Sequence, residues 1–360
     1  MKRLLSLDFM RGLIMVLLVL ESAGLYESLA TATESSFLHG PIQQFFHHPW
    51  NGLRFWDLVQ PAFMFMAGVS MAYSLTRQKE AGLDWLHRFR KTLKRCGWLF
   101  FWGVLDYAVR KTGLSFELWD VLTQLSFTTL VAFLIFECKT VTQILIGAGL
   151  LLLTEVLYRF TQIPGFDQPF TDQHNFGNYV DWLLMHKINQ GGWVAINCIP
   201  TAVHTIAGAL VGKMLLQNGN KVIRNLLIWS ALCLAAGFAL DTAGITPIIK
   251  RIATSSFVLA SMGWCLAGLA ACYWWIDIRD HRKYLLFFTV VGMNSLFIYL
   301  FIEIVANRWF TGYISAISNG VLSWVSTPEL VSHILSALCV FSLEWGLCYF
   351  LYRKKIFFKI

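Results

Sequence analysis

The residues best suited to chemistry in this chain are an intramembrane acid and a histidine-bearing turn. Glu21 sits in Val19-Leu20-Glu21-Ser22-Ala23-Gly24, and His48 in His47-His48-Pro49-Trp50-Asn51-Gly52. An imidazole can take up and return a proton near neutral pH, which acyl transfer to an amine or hydroxyl requires. Asp57, in Phe55-Trp56-Asp57-Leu58, is close enough in sequence to orient such a histidine and stabilise its imidazolium. A helix dipole explains an aspartate at a first helical turn equally well. Glu21 interrupts an apolar run, where an uncompensated acid costs a few kcal/mol. It is expected either to face a polar cavity or partner, or to be a neutral, hydrogen-bonded structural glutamate.

Further along, Lys250, Arg251, Ser255 and Ser256 cluster before an apolar run, and Asn294 lies within one in Gly292-Met293-Asn294-Ser295. Intramembrane Asn, like His204, serves helix packing as readily as chemistry. Asp8 and Arg11 are spaced to share a helix face as a local ion pair. The stretch 77–95, with Arg88, Arg90 and Lys91 among its seven basic residues, could grip phosphates. No G-x-x-x-x-G-K-[ST], G-x-S-x-G or H-E-x-x-H motif occurs. The eight cysteines form no CxxC pair and no Cys/His cluster, so they read as small hydrophobes and no metal site is expected.

These residues must be positioned by apolar helices. Of the 360 residues, 56% are hydrophobic and 14% charged, too little charge to cover a soluble surface. Apolar runs at 12–30, 55–75, 96–111, 120–137, 141–159, 193–216, 222–240, 253–275, 285–306 and 331–352 predict an all-α membrane bundle of about ten spans. Lys2 and Arg3 before a short apolar run imitate a signal peptide, but Asp8 and Glu21 favour a retained first span. Of the 29 Lys and Arg, 21 fall in segments on the side of the N-terminus and the other 8 opposite. That bias predicts cytoplasmic N- and C-termini. It also accounts for the net charge of +8 without a nucleic-acid partner. With no repeat, the chain 1–360 is expected to be one transmembrane domain, with longer external segments at 31–54 and 160–192.

Several blocks carry a resemblance. Ser6-Leu7-Asp8-Phe9-Met10-Arg11-Gly12, His48-Pro49-Trp50-Asn51-Gly52-Leu53 with Asp57-Leu58-Val59, and Phe63-Met64-Phe65-Met66-Ala67-Gly68-Val69-Ser70 are three of them. Lys250-Arg251-Ile252 with Thr254-Ser255-Ser256-Phe257-Val258, and Gly292-Met293-Asn294-Ser295, follow. Together they resemble the transmembrane acyltransferases typified by heparan-α-glucosaminide N-acetyltransferase, in their bacterial branch. Leu122-Thr123-Gln124-Leu125 departs from the L-Q-R of the eukaryotic pattern. The resemblance implies transfer of an acetyl group from cytoplasmic acetyl-CoA to an amino sugar or glycan across the bilayer. It implies that His48 is the catalytic residue, assisted by a polar residue matching Glu21 or Ser22, in a homodimer of a bacterial inner membrane. On this reading Asp57 supports His48. Trp50, Asn51, Lys250, Ser255, Ser256 and Asn294 serve the acceptor, and Asp8, Arg11, Arg88, Arg90 and Lys91 serve the donor. A proton-coupled sugar transporter is the competing expectation, with Glu21 as the proton carrier.

Overall fold

The computed structural model describes residues 4–110, 113–217 and 221–358. Lys2, Arg3, Lys111 and Lys359, which are among the 29 basic residues counted above, lie outside these. The described residues are helical, with no strand and one isolated bridge, Asn51 to Ile249. The helices are α1 (Leu5–Ser22), α2 (Leu25–Ala32), α3 (His39–Gln43), α4 (Val59–Glu80), α5 (Trp85–Ala108), α6 (Val121–Leu134), α7 (Thr140–Phe160) and α8 (Phe176–Met185). They continue with α9 (Cys198–Leu216), α10 (Val222–Thr242), α11 (Ser255–Cys272), α12 (Leu285–Met293), α13 (Ser295–Phe301), α14 (Thr311–Ser323) and α15 (Glu329–Arg353).

Six helices are long and apolar enough to cross a membrane, or eight if each of two bent pairs is one span. Two of the ten expected spans fall outside this set. The helix α5, which covers 96–108, carries five basic residues in its first half, and α6 has only 14 residues, about 21 Å of rise. Two other expected spans are broken. The run 12–30 bends by 66° where Gly24 adopts φ 78°, and the run 285–306 bends by 72° at Asn294. The second of these continues beyond its expected end, through π-helical turns at Ile302–Phe310, to Ser323. The surface fits an apolar solvent: Leu145, Leu152, Trp229 and Leu232 on α7 and α10 are all more than half exposed.

The chain divides into two compact units. One comprises His48–Leu53 and Asp57–Ala271; the other comprises Lys2–His47, Arg54–Trp56 and Cys272–Ile360.

The first unit is built on the α4–α9 pair. Glycines let the two backbones touch: a Cβ on Gly208 would overlap the Phe65 carbonyl, and one on Gly68 the Thr205 carbonyl. Gly212 likewise abuts Ala72 and Val69. Without a hydrophobic drive between helices in lipid, such close contact supplies the association energy. Substituting Gly208→Ala is therefore expected to lower the melting temperature in detergent markedly. Gly149→Ala on α7, where the added methyl meets open space, should leave it unchanged or raised. Equal melting of the two variants would contradict the tight seam.

In the second unit, the free N–H groups at the start of α1 are capped from elsewhere in the chain. Leu5 and Ser6 donate to the two carboxylate oxygens of Asp277, at 3.1 and 3.0 Å. The helix α1 then packs along α12, with Gly12 against the Phe288 carbonyl and Gly292 against Gly12.

Candidate functional site

In the first unit the His48 turn is folded against the turn 248–254, two segments far apart in sequence. Gly52 N–H donates to the Ile248 carbonyl at 2.8 Å, beside the Asn51–Ile249 bridge. The second turn is itself fixed by Thr254, whose hydroxyl accepts the Ile249 N–H at 3.0 Å. Ile248 N–H is held by the Asp241 carboxylate at 2.8 Å.

Electrostatics lock the two turns together. Asp57 and Lys250 are buried, 1% and 7% exposed, with Lys250 Nζ 3.8 Å from Asp57 Oδ1. Asp57 Oδ2 accepts the His48 backbone N–H at 3.2 Å. Asp57 thus fixes the loop that carries His48, and the imidazole Nδ1 is buried without a hydrogen-bond partner. The ring lies against Gly52, which has φ 147°; a Cβ there would come within 2.6 Å of Nε2. Only glycine combines that backbone angle with that contact.

Aromatic rings flank the turns. Trp50 donates its indole N–H to the Phe170 carbonyl at 2.8 Å, and Arg251 lies 6.0 Å over the Trp50 ring. Lys250 lies 5.3 Å from the Trp193 ring. Gly192, at φ 78°, brings Trp50 and Asp172 to the same point: a Cβ there would be 2.7 Å from Trp50 Cζ3 and 2.6 Å from Asp172 Oδ1. Buried polar atoms without partners gather in these segments, namely His48 Nδ1, Asp172 Oδ1, Asn197 Oδ1, Arg251 Nε and Ser255 Oγ. Such atoms are uncommon in folded proteins and leave bonding capacity that a water or a ligand can fill.

The remaining expected site residues divide among several environments. Asn51 is exposed on the same turn. Ser255 is buried with its hydroxyl unbonded, whereas the Ser256 hydroxyl donates to the Pro247 carbonyl at 2.8 Å. His204 is fully buried with Nε2 2.9 Å from the Ser261 hydroxyl, a packing role. Arg88 donates to Glu137 at 2.8 Å and so holds that carboxyl below its usual range, while Arg90 and Lys91 are exposed. Asp8 and Arg11 form the local ion pair, at 3.8 Å. Asn294 sits at the α12–α13 break, where its amide donates to the Ile356 carbonyl and accepts the Phe358 N–H. Its side chain is thereby tied to the C-terminal backbone.

Glu21, in the second unit, lines a cavity of about 320 Å³ together with Ser22, Glu27, Tyr299, Glu303 and Asn307. Ser22 donates to Asn307 at 2.9 Å across its wall. Glu303 and Asn307 come from the π-helical turns, whose wider spacing is common at functional positions. Among the described residues, no group of three or more His, Cys, Asp or Glu could hold a metal ion.

Asp181 is a further buried acid of the first unit, and its residue type alone gave no sign of its surroundings. It lies on α8, inside the segment 160–192, which is anchored by a capping box between Asn175 and Asn178. Its carboxylate accepts the Trp119 indole N–H at 2.8 Å and the Ala195 N–H at 2.9 Å. Burial outweighs both bonds and raises its pKa from 3.8 to about 7; Tyr158 and Cys198 are titratable neighbours. Between these two values the folded chain keeps a proton that the unfolded chain releases. Asp181 therefore makes the protein less stable as pH rises from about 4 to about 7. Melting curves in detergent at pH 5 and pH 8 should differ less for Asp181→Asn than for wild type. An unchanged difference would contradict this.

Fold and site together define an all-helical protein with six to eight helices able to cross a membrane and a clamped histidine turn beside two basic residues. No family model and no curated protein matches the sequence.

Proposed function

We propose that this chain is a membrane-embedded acyltransferase that moves an acetyl group from cytoplasmic acetyl-CoA to an amino sugar or glycan on the other side of the membrane. The observation that carries the reading is His48. It is half-buried with an unpartnered Nδ1, on a loop whose position is set by Asp57, Lys250 and the backbone of 248–249. This is a base held in place while its ring stays available for proton transfer.

In the reaction, His48 takes a proton from the acceptor nitrogen as that nitrogen attacks the thioester carbonyl. A C–N bond forms, the C–S bond breaks, and the proton passes from His48 to the departing thiolate. Asn51, on the His48 turn, and Ser255, whose buried hydroxyl carries no bond, donate to the developing oxyanion. Lys250, neutralised by Asp57, supports the loop. Arg90 and Lys91 hold the donor's phosphates at the cytoplasmic face.

The proposal takes α5 and α6 as two short spans, making ten with both termini cytoplasmic. The protein resides in a bacterial inner membrane as a homodimer. The resemblance assigns Glu21 an assisting role.

A proton-coupled sugar transporter is the second reading, favoured by the cavity that Glu21 shares with Glu27 and Glu303. The two readings part on a simple experiment. Purified protein in detergent, given acetyl-CoA and glucosamine, should release free CoA thiol without any membrane gradient. Absence of thiol release together with sugar counterflow in sealed vesicles would replace the enzyme by the transporter.

A further inference from the structure

Lys250 and Arg251 are adjacent cations on one fixed turn, but their charges are treated differently. Lys250 is buried against Asp57. Arg251 has no ion pair and no side-chain hydrogen bond to any described residue, and its Nε is buried without a partner. Its only side-chain contact of note is the face of Trp50, whose own indole is anchored to Phe170.

The backbone around Arg251 is rigid. Ala253 N–H bonds to the Lys250 carbonyl at 3.0 Å, Thr254 N–H to the Ile249 carbonyl at 3.1 Å, and Asn197 donates to the Arg251 carbonyl at 3.3 Å. A half-buried guanidinium held by such a turn and backed by an indole presents a fork of donors in one orientation. Leaving the buried Nε unbonded is costly, and a planar or tetrahedral oxyanion would relieve that cost with paired, charge-assisted bonds from Nε and a terminal nitrogen. Asp172, beside Trp50 and with its buried Oδ1 also unbonded, offers an acceptor for a neighbouring hydroxyl.

We propose that Arg251 is the anion-binding residue of the acceptor site, and that the acceptor is a sugar bearing a carboxylate or phosphate group. The guanidinium grips the anionic group while Asp172 accepts a sugar hydroxyl. This rests on the reading of the His48 turn as the acceptor site, but its test needs no acyl transfer.

The probes are glucuronate, glucose 6-phosphate and neutral glucose, titrated calorimetrically into the full-length protein in detergent. At least one anionic probe should bind wild type tenfold or more tightly than glucose, and the stronger of the two identifies the source of the anion. Arg251→Gln should abolish that preference while leaving glucose affinity and melting temperature within twofold and a few degrees of wild type. Arg251→Lys, which keeps the charge but loses the fork, should retain part of it. Equal binding of all three probes to wild type, or a preference that survives Arg251→Gln, would overturn the proposal. Acetyl-CoA titrated into the same samples separates the two ideas. No detectable donor binding by wild type while the anion preference persists would remove the acyltransferase and leave the anion site standing.

Discussion

Asp57→Ala and Lys250→Ala are each expected to destabilise the protein by about 3–5 kcal/mol, and the double variant to be no less stable than the worse single. The reason is the burial of both groups, 1% and 7% exposed at a separation of 3.8 Å. Removing one partner leaves the other as an uncompensated buried charge, which costs far more than the pair itself contributes. Removing both exchanges that charge for a cavity and the freed His48 N–H, a loss of about 1–3 kcal/mol. Thermal melting in detergent should therefore show strong non-additivity. Losses that add would mean that the two charges are solvated and do not clamp the turns.

The second large effect concerns the imidazole. Replacing His48 by Ala should reduce acetyl transfer by about 10²–10⁴-fold, the usual worth of a positioned general base, with melting little changed. Gly52→Ala should come close to the same loss by a different route. It must displace a ring 2.6 Å from the new Cβ and abandon a φ of 147°, so the imidazole stays present but misplaced. Activity of Gly52→Ala near wild type would show that the ring's position against Gly52 has no bearing on the reaction.

How much of this was legible in the sequence follows from what lipid demands. A spanning helix needs about 20 apolar residues, so the long runs at 55–75, 193–216, 253–275 and 331–352 announced α4, α9, α11 and α15. Breaks leave a weaker trace. Gly24 and Asn294 were visible as residues, but that each would bend its run by more than 60° depends on packing. The helix α8 was hidden because a short apolar segment of ten residues between polar ones carries little periodicity; only its Asn175–Asn178 capping box marked it. The spacing Gly208-x-x-x-Gly212 is a helix-contact signal in plain view, yet its partner, Phe65 to Ala72, is specified by the fold.

The site shows the same division. His48, Asp57 and Lys250 were selected by residue type and resemblance, and the fold brings all three together. Nothing in their spacing says that Asp57 would take the His48 backbone instead of Nδ1. That choice arises from the sharp Pro49–Gly52 turn, which lays the ring on Gly52. Arg251 and Asp172 could not be ranked from sequence, because what distinguishes them is the absence of partners in three dimensions.

Calorimetric titration of acetyl-CoA into the purified protein, for wild type and His48→Ala, with thiol release on glucosamine followed in the same samples, decides whether the chain is an acetyl-CoA-dependent enzyme with His48 as its base. Both proteins should bind the donor, and only wild type should turn over. No detectable binding of the donor at millimolar concentration, or turnover by His48→Ala at the wild-type rate, would contradict that reading.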